Sequence, residues 1–292
     1  DNLDEREPYA AIYTSFGCPF DCSFCCINSQ FNQEGAIDNT IRFRDPSKIV
    51  SEIEKLVNEH RVKNLKIIDE MFVLNKSHYL AIADGLIERN LGESLNIWAY
   101  ARVDSIPGQK NAGYLDRLRE AGIRWLVLGI ESGSGHVRDG VEKGRFGELE
   151  ISQNVRRVQE AGIYVLSNFI FGLPDDNQKT MQQTLDLALE LNTERPNFYC
   201  AMPYPGSQLH RNAQNTRKLL DEKGLDFTLN TISQAREREY REEKDLTIPG
   251  NSKFISPYLP IPQDFNPEAP LLPEDKGGPG WIGYSQHALE TF

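Results

Sequence analysis

The sequence predicts an α/β fold in which parallel strands alternate with crossover helices. From residue 9 to about residue 206, short β-rich runs alternate with amphipathic helical segments, which is the pattern that produces parallel strands. The runs are almost continuously apolar, as expected of strands buried on both faces. The segments RLREAGIRWLVLGIE and RVQEAGIYVLSNFIFG match at a spacing of 40 residues. This internal repeat of a helix, a glycine and a strand favours a barrel-type array.

Each predicted element has its own signal. The strands are predicted, in chain order, at 9–16, 65–70, 96–103, 123–131, 163–172 and 196–204. The intervening helices carry apolar residues at helical spacing, and these are Ile49, Ile53, Leu56, Val57, Leu115, Leu118, Ala121, Ile151, Val155 and Val158. Asp45 is a predicted N-cap before Pro46 at the first helical position. Gly122 and Gly162 stand where helices end in the left-handed conformation.

The chain divides at residue 206 into two predicted parts. Residues 1–206 form the barrel domain. Residues 207–292 form a C-terminal extension, because residues 207–245 are polar and charged and eight of the 16 prolines lie between residues 249 and 279. This polar, Pro-rich extension is predicted to be partly helical and then loop-rich.

Composition excludes some classes of protein. The 292 residues contain 32 Lys and Arg against 43 Asp and Glu, a formal charge of −11. This balance disfavours a nucleic-acid partner, since phosphate binding depends on clustered cations. The sequence has no run of about 18 apolar residues and no signal peptide. We therefore expect a cytoplasmic protein without a membrane span.

Four of the five cysteines lie between residues 18 and 26, too close together for a disulfide framework. The segment GCPFDCSFCC places Cys18, Cys22 and Cys25 in a C-x3-C-x2-C arrangement directly after the first strand. This is the carboxyl end, where α/β barrels hold their active sites. Three thiolates would leave one iron of a 4Fe–4S cluster open to an outside ligand. Phe24, beside the ligands, would keep water from the cluster.

Two other uses of these cysteines remain open at this point. Cys26 could complete a zinc site in a binding module, although adjacent Cys25 and Cys26 do not easily face one metal. Cys26 or Cys200 could complete the cluster of a ferredoxin-like electron carrier.

The cysteine loop resembles the signature of the radical S-adenosylmethionine (SAM) superfamily, and further matches extend the resemblance over residues 9–206. It implies an incomplete (β/α)6 barrel of the TIM type. It also implies that the open iron binds SAM, and that one electron cleaves SAM to a 5′-deoxyadenosyl radical. The radical would then take hydrogen from a small-molecule substrate. An electron donor such as flavodoxin or ferredoxin would supply the electron.

The same resemblance assigns SAM contacts. Glu70, after the second strand, would receive the SAM ammonium, although a carboxylate there could instead cap the next helix. Glu131 and Ser132, in the GIESGSG turn, would meet the ribose or the methionine carboxylate. Arg102 would neutralise that carboxylate or form an ordinary ion pair.

The fifth strand and its turn, NFIFGLPDD, resemble the family's G-x-I-x-G-x-x-E element. Ile170, Gly172 and Asp175 are in register with it, and Asn168 stands where a glycine is common. The resemblance implies that Ile170 and nearby backbone flank the adenine, with Asn168 beside them.

Several segments look like radical SAM proteins that follow an N-terminal cobalamin-binding domain. These are TSFGCPFDCSFCCINSQF, FIFGLPDD, NFYCAMPYPGS and GYSQHALETF. The sequence contains no D-x-H-x-x-G element, which supplies the lower ligand of cobalamin. Cobalamin is therefore expected only through a domain outside this chain. With it, methyl transfer to carbon would be the leading reaction, ahead of cyclisation or epimerisation.

Overall fold

The computed structural model describes residues 8–30, 39–111, 113–144 and 146–222. The strands are β1 Tyr9–Ile12, β2 Ser15–Phe16, β3 Arg42–Phe43, β4 Asn64–Ile67, β5 Asn96–Arg102, β6 Ile123–Glu131, β7 Tyr164–Phe171 and β8 Arg195–Cys200. The helices are α1 Ile27–Gln30, α2 Pro46–His60, α3 Lys76–Glu88, α4 Gly113–Glu120, α5 Gly135–Gly140, α6 Glu148–Glu160, α7 Gln178–Leu191 and α8 Gln208–Glu222. Two short 3-10 turns cover Val103–Ser105 and Gln109–Asn111.

Six strands form one parallel sheet in the order β1, β4, β5, β6, β7, β8. The strand order follows the chain, with a helix on most crossovers, and β1 and β8 form the two edges. This is the predicted partial (β/α)6 barrel, and the prediction of the α/β fold class is confirmed.

The helices pack on the outer face of the sheet. Most of the predicted apolar stripe is fully buried in one core; its members there are Ile49, Ile53, Leu115, Leu118, Ala121, Ile151, Val155 and Val158. Asp45 caps α2, accepting hydrogen bonds from the backbone of Ser47 and Lys48. Gly122 and Gly162 have φ of +97° and +73°, so both predicted helix stops are confirmed.

The predicted first strand, 9–16, is wrong in one respect, because it is two strands. Tyr9–Ile12 belongs to the main sheet, whereas Ser15–Phe16 pairs antiparallel with Arg42–Phe43. The buried Asp69 carboxylate causes the break. It accepts hydrogen bonds from the Thr14 amide at 2.6 Å and the Ser15 hydroxyl at 2.6 Å, which draws the chain out of the sheet.

The prediction that the strands are buried on both faces is also only partly correct. In β4 and β5, residues facing the helices are buried and alternate residues are half-buried. In β8, no residue is fully buried. The inner face of the sheet, which we call the lumen face, is therefore open.

In the extension, α8 agrees with the predicted helical part, and residues 223–292 lie outside the described residues. None of the helices in the described part of the chain has the length and apolar character that crossing a bilayer requires.

Candidate cofactor site

The cysteine loop lies between β2 and α1, at the carboxyl end of the parallel sheet. It begins at Gly17, whose φ is +93°. A Cβ there would come within 2.4 Å of the Thr40 carbonyl oxygen, so glycine is required both for the backbone conformation and for space.

Backbone hydrogen bonds fix the loop to two other elements. The Ser23 amide donates to the Val141 carbonyl at 3.0 Å, and the Leu209 amide donates to the Ser23 carbonyl at 2.9 Å. Within the loop, the Asn28 side chain donates to the Phe20 carbonyl at 2.7 Å. The thiols are therefore carried by a braced loop.

All five cysteines lie in described residues and none forms a disulfide bond. Burial raises the pKa of the thiols of Cys18 and Cys22. Burial, with added repulsion from the thiolates of Cys22, Cys26 and Cys18, raises the pKa of Cys25 to about 11. The thiols of the loop thus lie close enough to interact, that of Cys26 included. They need the positive charge of a metal to ionise, because metal binding and thiol deprotonation are coupled.

Among the described residues, no group of three or more His, Cys, Asp or Glu side chains is arranged around one metal position. The thiols of the loop are therefore not already placed around a single ion, and the geometry alone does not separate the cluster from the zinc alternative.

Arg102 lies beside the second thiol. Its Nη1 is 3.5 Å from the Cys22 Sγ, and its guanidinium donates to both carboxylate oxygens of Asp104 at 2.9 Å. The guanidinium also stacks 3.9 Å from the centre of the Phe20 ring. Arg102 therefore lies at the site, next to Cys22, and forms an ion pair with Asp104. An ion pair was the alternative role expected for Arg102.

Glu131 forms a buried ion pair with Lys143, whose Nζ lies 2.8 Å from Oε1. Glu131 has φ of +71°, an unusual conformation for a residue with a side chain. A Cβ on Gly129 would come within 2.5 Å of the Glu131 Oε1 and 2.8 Å of the Lys143 Nζ. Glycine at 129 therefore makes the space for the pair. Lys143 also lowers the pKa of Cys22 against the larger effect of burial.

Ser132 is fully buried. Its hydroxyl lies 3.2 Å from the Thr184 hydroxyl and accepts from the Ser134 amide at 3.1 Å. Its contacts therefore hold the turn after β6 in place.

Glu70 and Asn168 have unused hydrogen-bonding capacity. The Oε2 of Glu70 and the Oδ1 of Asn168 are buried and have no hydrogen-bond partner within the residues that the structure describes. Burial raises the pKa of Glu70, while a hydrogen bond from the Gly17 amide partly offsets this. Buried acceptors without donors are uncommon in native proteins. These two fit a ligand that brings donors, such as the ammonium and the adenine amine of SAM.

Phe24 and Ile170 meet in a small apolar cluster. Both pack against buried Val137, Val141 and Leu173. The cluster places apolar surface next to the thiols, where exclusion of water is needed.

The turn after β7 differs from the predicted register. Asp175 is exposed, with φ of +68°, whereas Asp176 is buried and accepts from the Gly172 amide at 2.8 Å and the Thr180 hydroxyl at 2.5 Å. Burial raises the pKa of Asp176 to about 6. The carboxylate that shapes this turn is therefore Asp176.

Three residues that shape the site were not predicted from the sequence: Asp69, Lys143 and Asp176. Asp69 is next to Glu70 in the sequence, but its contacts are with Thr14 and Ser15. Lys143 lies in a polar turn whose sequence looks like that of an ordinary surface turn.

A cavity of about 280 Å³ lies along the loop, lined in part by Cys22, Cys25 and Arg211. It includes neither Cys18 nor Glu70. It therefore adjoins two of the three thiols but not the unpaired acceptors.

Comparison with known proteins decides the family. A family model of the radical SAM superfamily matches residues 12–188, which is more than half of the chain. The chain belongs to the radical SAM superfamily. Its cofactors are accordingly a 4Fe–4S cluster and SAM, and the protein is an enzyme of this superfamily.

Individual relatives cover the radical SAM region. An uncharacterised methyltransferase of Pyrococcus horikoshii is 27% identical over 252 residues, which are 86% of this chain and 52% of the relative. The anaerobic magnesium-protoporphyrin IX monomethyl ester cyclase of Rubrivivax gelatinosus is 31% identical over 215 residues, which are 72% of this chain and 36% of the cyclase. The chain thus spans about a third to a half of the length of these relatives.

A solved structure shows the same fold. The radical SAM methyltransferase TsrM from Kitasatospora setae, with cobalamin and a [4Fe–4S] cluster bound, superposes with a TM-score of 0.62 at 21% identity. The match covers 72% of this chain and 37% of TsrM. This radical SAM chain therefore has the partial barrel of that structure.

Proposed function

We propose that Cys18, Cys22 and Cys25 hold the cluster and that Glu70 holds the ammonium of SAM at its open iron. The observation that carries the proposal is the unpaired, buried Oε2 of Glu70, on a side chain hydrogen-bonded to Gly17, directly before Cys18. When bound, the reduced cluster supplies the electron that cleaves SAM to the radical that takes hydrogen from the substrate.

The remaining residues position these cofactors. Asn168 accepts a hydrogen bond from SAM, and Ile170 and Phe24 exclude water beside it. Arg102 and Lys143 stabilise the thiolate of Cys22, while Glu131 and Ser132 shape the rim that faces the ribose.

The substrate and reductant belong to the same proposal. A small molecule is the proposed substrate, with a flavodoxin or ferredoxin as electron donor. C-methylation is the leading reaction for the whole protein, if a cobalamin-binding domain accompanies this chain; cyclisation is second. The relatives support both reactions, since one is named a methyltransferase and another a cyclase. We place the protein in the cytoplasm, where thiols and such clusters stay reduced.

The test is formation of 5′-deoxyadenosine. The full chain, reconstituted anaerobically with iron and sulfide, is mixed with dithionite and SAM, and the nucleoside is quantified by chromatography. We expect brown protein and product from the wild type. An intact cluster without product would contradict the enzymatic proposal.

Two variants test the ligand assignment. Cys22→Ala is expected to lose both cluster and product, since one of three ligands is gone. Cys200→Ala is the matched control, because Cys200 lies on β8, outside the loop, and it should retain both. A full cluster in Cys22→Ala would move the assignment to Cys26, and cluster loss in Cys200→Ala would favour the electron carrier with four cysteines.

A further inference from the structure

The lumen face carries a lysine, Lys66, that has no ion-pair partner in the described part of the chain. Lys66 of β4 is half-buried on this face, since its neighbours Leu65 and Ile67 point into the core on the other side. Among the described residues, no carboxylate forms an ion pair with Lys66. Its Nζ lies 5.3 Å above the centre of the Tyr100 ring.

The rest of the sheet does not neutralise this charge. The six strands of the sheet contain a single acidic residue, Glu131, and its carboxylate already pairs with Lys143. A hydrogen bond with Tyr100 raises the pKa of Lys66, against the smaller, opposing effect of burial.

A row of aromatic rings begins at the strand position beside Lys66. Lys66 pairs in register with Trp98 of β5. Trp98 stacks on Trp125 with ring centres 4.8 Å apart, and Trp125 meets Tyr164 at 5.0 Å. None of these three rings belongs to the apolar core on the helix side. They form an aromatic wall that the described part of the chain covers only in part.

We propose that the lumen face around Lys66 binds the substrate of the radical reaction, a flat apolar molecule that carries a carboxylate. Lys66 takes the carboxylate, and Trp98 and Trp125 take the flat body, as aromatic walls with few polar groups do in ligand sites. This inference rests on the proposed function, since it names the substrate class of that reaction.

The site lies on the same face of the sheet as the cofactor positions, nearer the amino ends of the strands. Asn168 is on the same face of β7 as Leu166, and its neighbours Ser167 and Phe169 are buried on the other side. The proposed SAM contact and the proposed substrate anchor therefore share one lumen.

A pair of probes tests the charge. Binding of 2-naphthoate and of its neutral analogue 2-naphthylmethanol is measured by calorimetry on the reconstituted full chain with SAM present. We expect the wild type to bind the acid at least about tenfold more tightly than the alcohol, which is the effect of one charged hydrogen bond. Lys66→Met should remove this preference, and Lys66→Arg should keep most of it.

Lys48→Met is the control, because Lys48 is exposed on α2 and should leave both affinities unchanged. Equal binding of the two probes by the wild type, or an unchanged preference in Lys66→Met, would overturn the proposal. So would failure of the wild type to bind 2-naphthoate, which would mean that another part of the chain or a partner covers this face. Formation of 5′-deoxyadenosine by the wild type is measured separately, and its absence would count against the proposed function only.

Discussion

The centre and the flanks of the cofactor rim satisfy their buried polar groups in different ways. Above the central strands β5 and β6, which we call the paired side, Arg102 pairs with Asp104, and Glu131 pairs with Lys143. Above the flanking strands β4 and β7, which we call the open side, Glu70 and Asn168 each keep a buried oxygen without a donor among the described residues. The paired side is complete in the protein itself. The open side is complete only with a ligand, so we expect the first to govern stability and the second to govern SAM binding.

The largest loss of stability is expected when the ion pair of Glu131 and Lys143 is broken. Lys143→Met leaves the Glu131 carboxylate buried without its cation, which typically costs about 3 to 5 kcal/mol. The free energy of unfolding, from urea titration, measures it. The double variant Lys143→Met/Glu131→Gln should recover most of the loss, because no lone charge remains. Lys48→Met should stay within about 0.5 kcal/mol of the wild type. A loss below about 1 kcal/mol in Lys143→Met would remove the distinction between the two sides.

Asp176 tests whether hydrogen bonds can replace an opposite charge. Its carboxylate is buried and accepts two hydrogen bonds, yet burial raises its pKa to about 6. A raised pKa means that the folded state holds the proton more tightly, so stability is lost as pH rises from about 4 through about 6. At about 1.4 kcal/mol per pKa unit, the loss is at most about 3 kcal/mol.

Asp176→Asn should abolish this dependence, since the amide does not ionise. The measurement is the difference in unfolding free energy between wild type and variant at pH 4.5 and at pH 7, roughly on either side of the raised pKa. Asp175→Asn is the matched control, because Asp175 is exposed. A difference that does not change with pH would show that the hydrogen bonds alone compensate for burial.

Features that depend on neighbouring residues were predictable from the sequence, and contacts between residues far apart in the sequence were not. The spacing of Cys18, Cys22 and Cys25 and the cap at Asp45 depend on neighbouring residues only, so a pattern reveals them. The contact of Asp69 with Thr14 spans 55 residues, and the pair of Glu131 with Lys143 depends on how two turns meet. No periodicity encodes such contacts. For the same reason the break in the first strand was missed, since it follows from Asp69.

On the open side, Glu70→Gln is expected to weaken SAM binding by about 10- to 100-fold, because a charged hydrogen bond contributes about 1.5 to 3 kcal/mol. Calorimetry on cluster-loaded protein measures the affinity. Burial raises the pKa of Glu70, so the ionised form that binds the ammonium is lost at a higher pH than for an ordinary glutamate. Wild-type affinity should fall as the medium is acidified, whereas that of Glu70→Gln should not.

Stability should respond in the opposite sense. Because the folded pKa of Glu70 is raised, its charge opposes folding above that pKa when SAM is absent. Glu70→Gln should therefore unfold at an equal or higher urea concentration at neutral pH, unlike Lys143→Met. A marked loss of stability in Glu70→Gln would mean that the Glu70 carboxylate, like that of Glu131, already has a stabilising partner in the protein.

The smallest effect is expected at Asn168. Asn168→Leu keeps a similar size and removes the unpaired oxygen, so a neutral hydrogen bond with SAM is lost, which corresponds to about a 2- to 10-fold weaker affinity. Without SAM, the variant should be as stable as the wild type or more so, because a buried acceptor without a partner is removed. Asn197→Leu, at the paired position on β8, should bind SAM like the wild type. If Asn168→Leu bound SAM as well as the wild type, the open side would reduce to Glu70 alone, and the adenine would be held by backbone near Ile170.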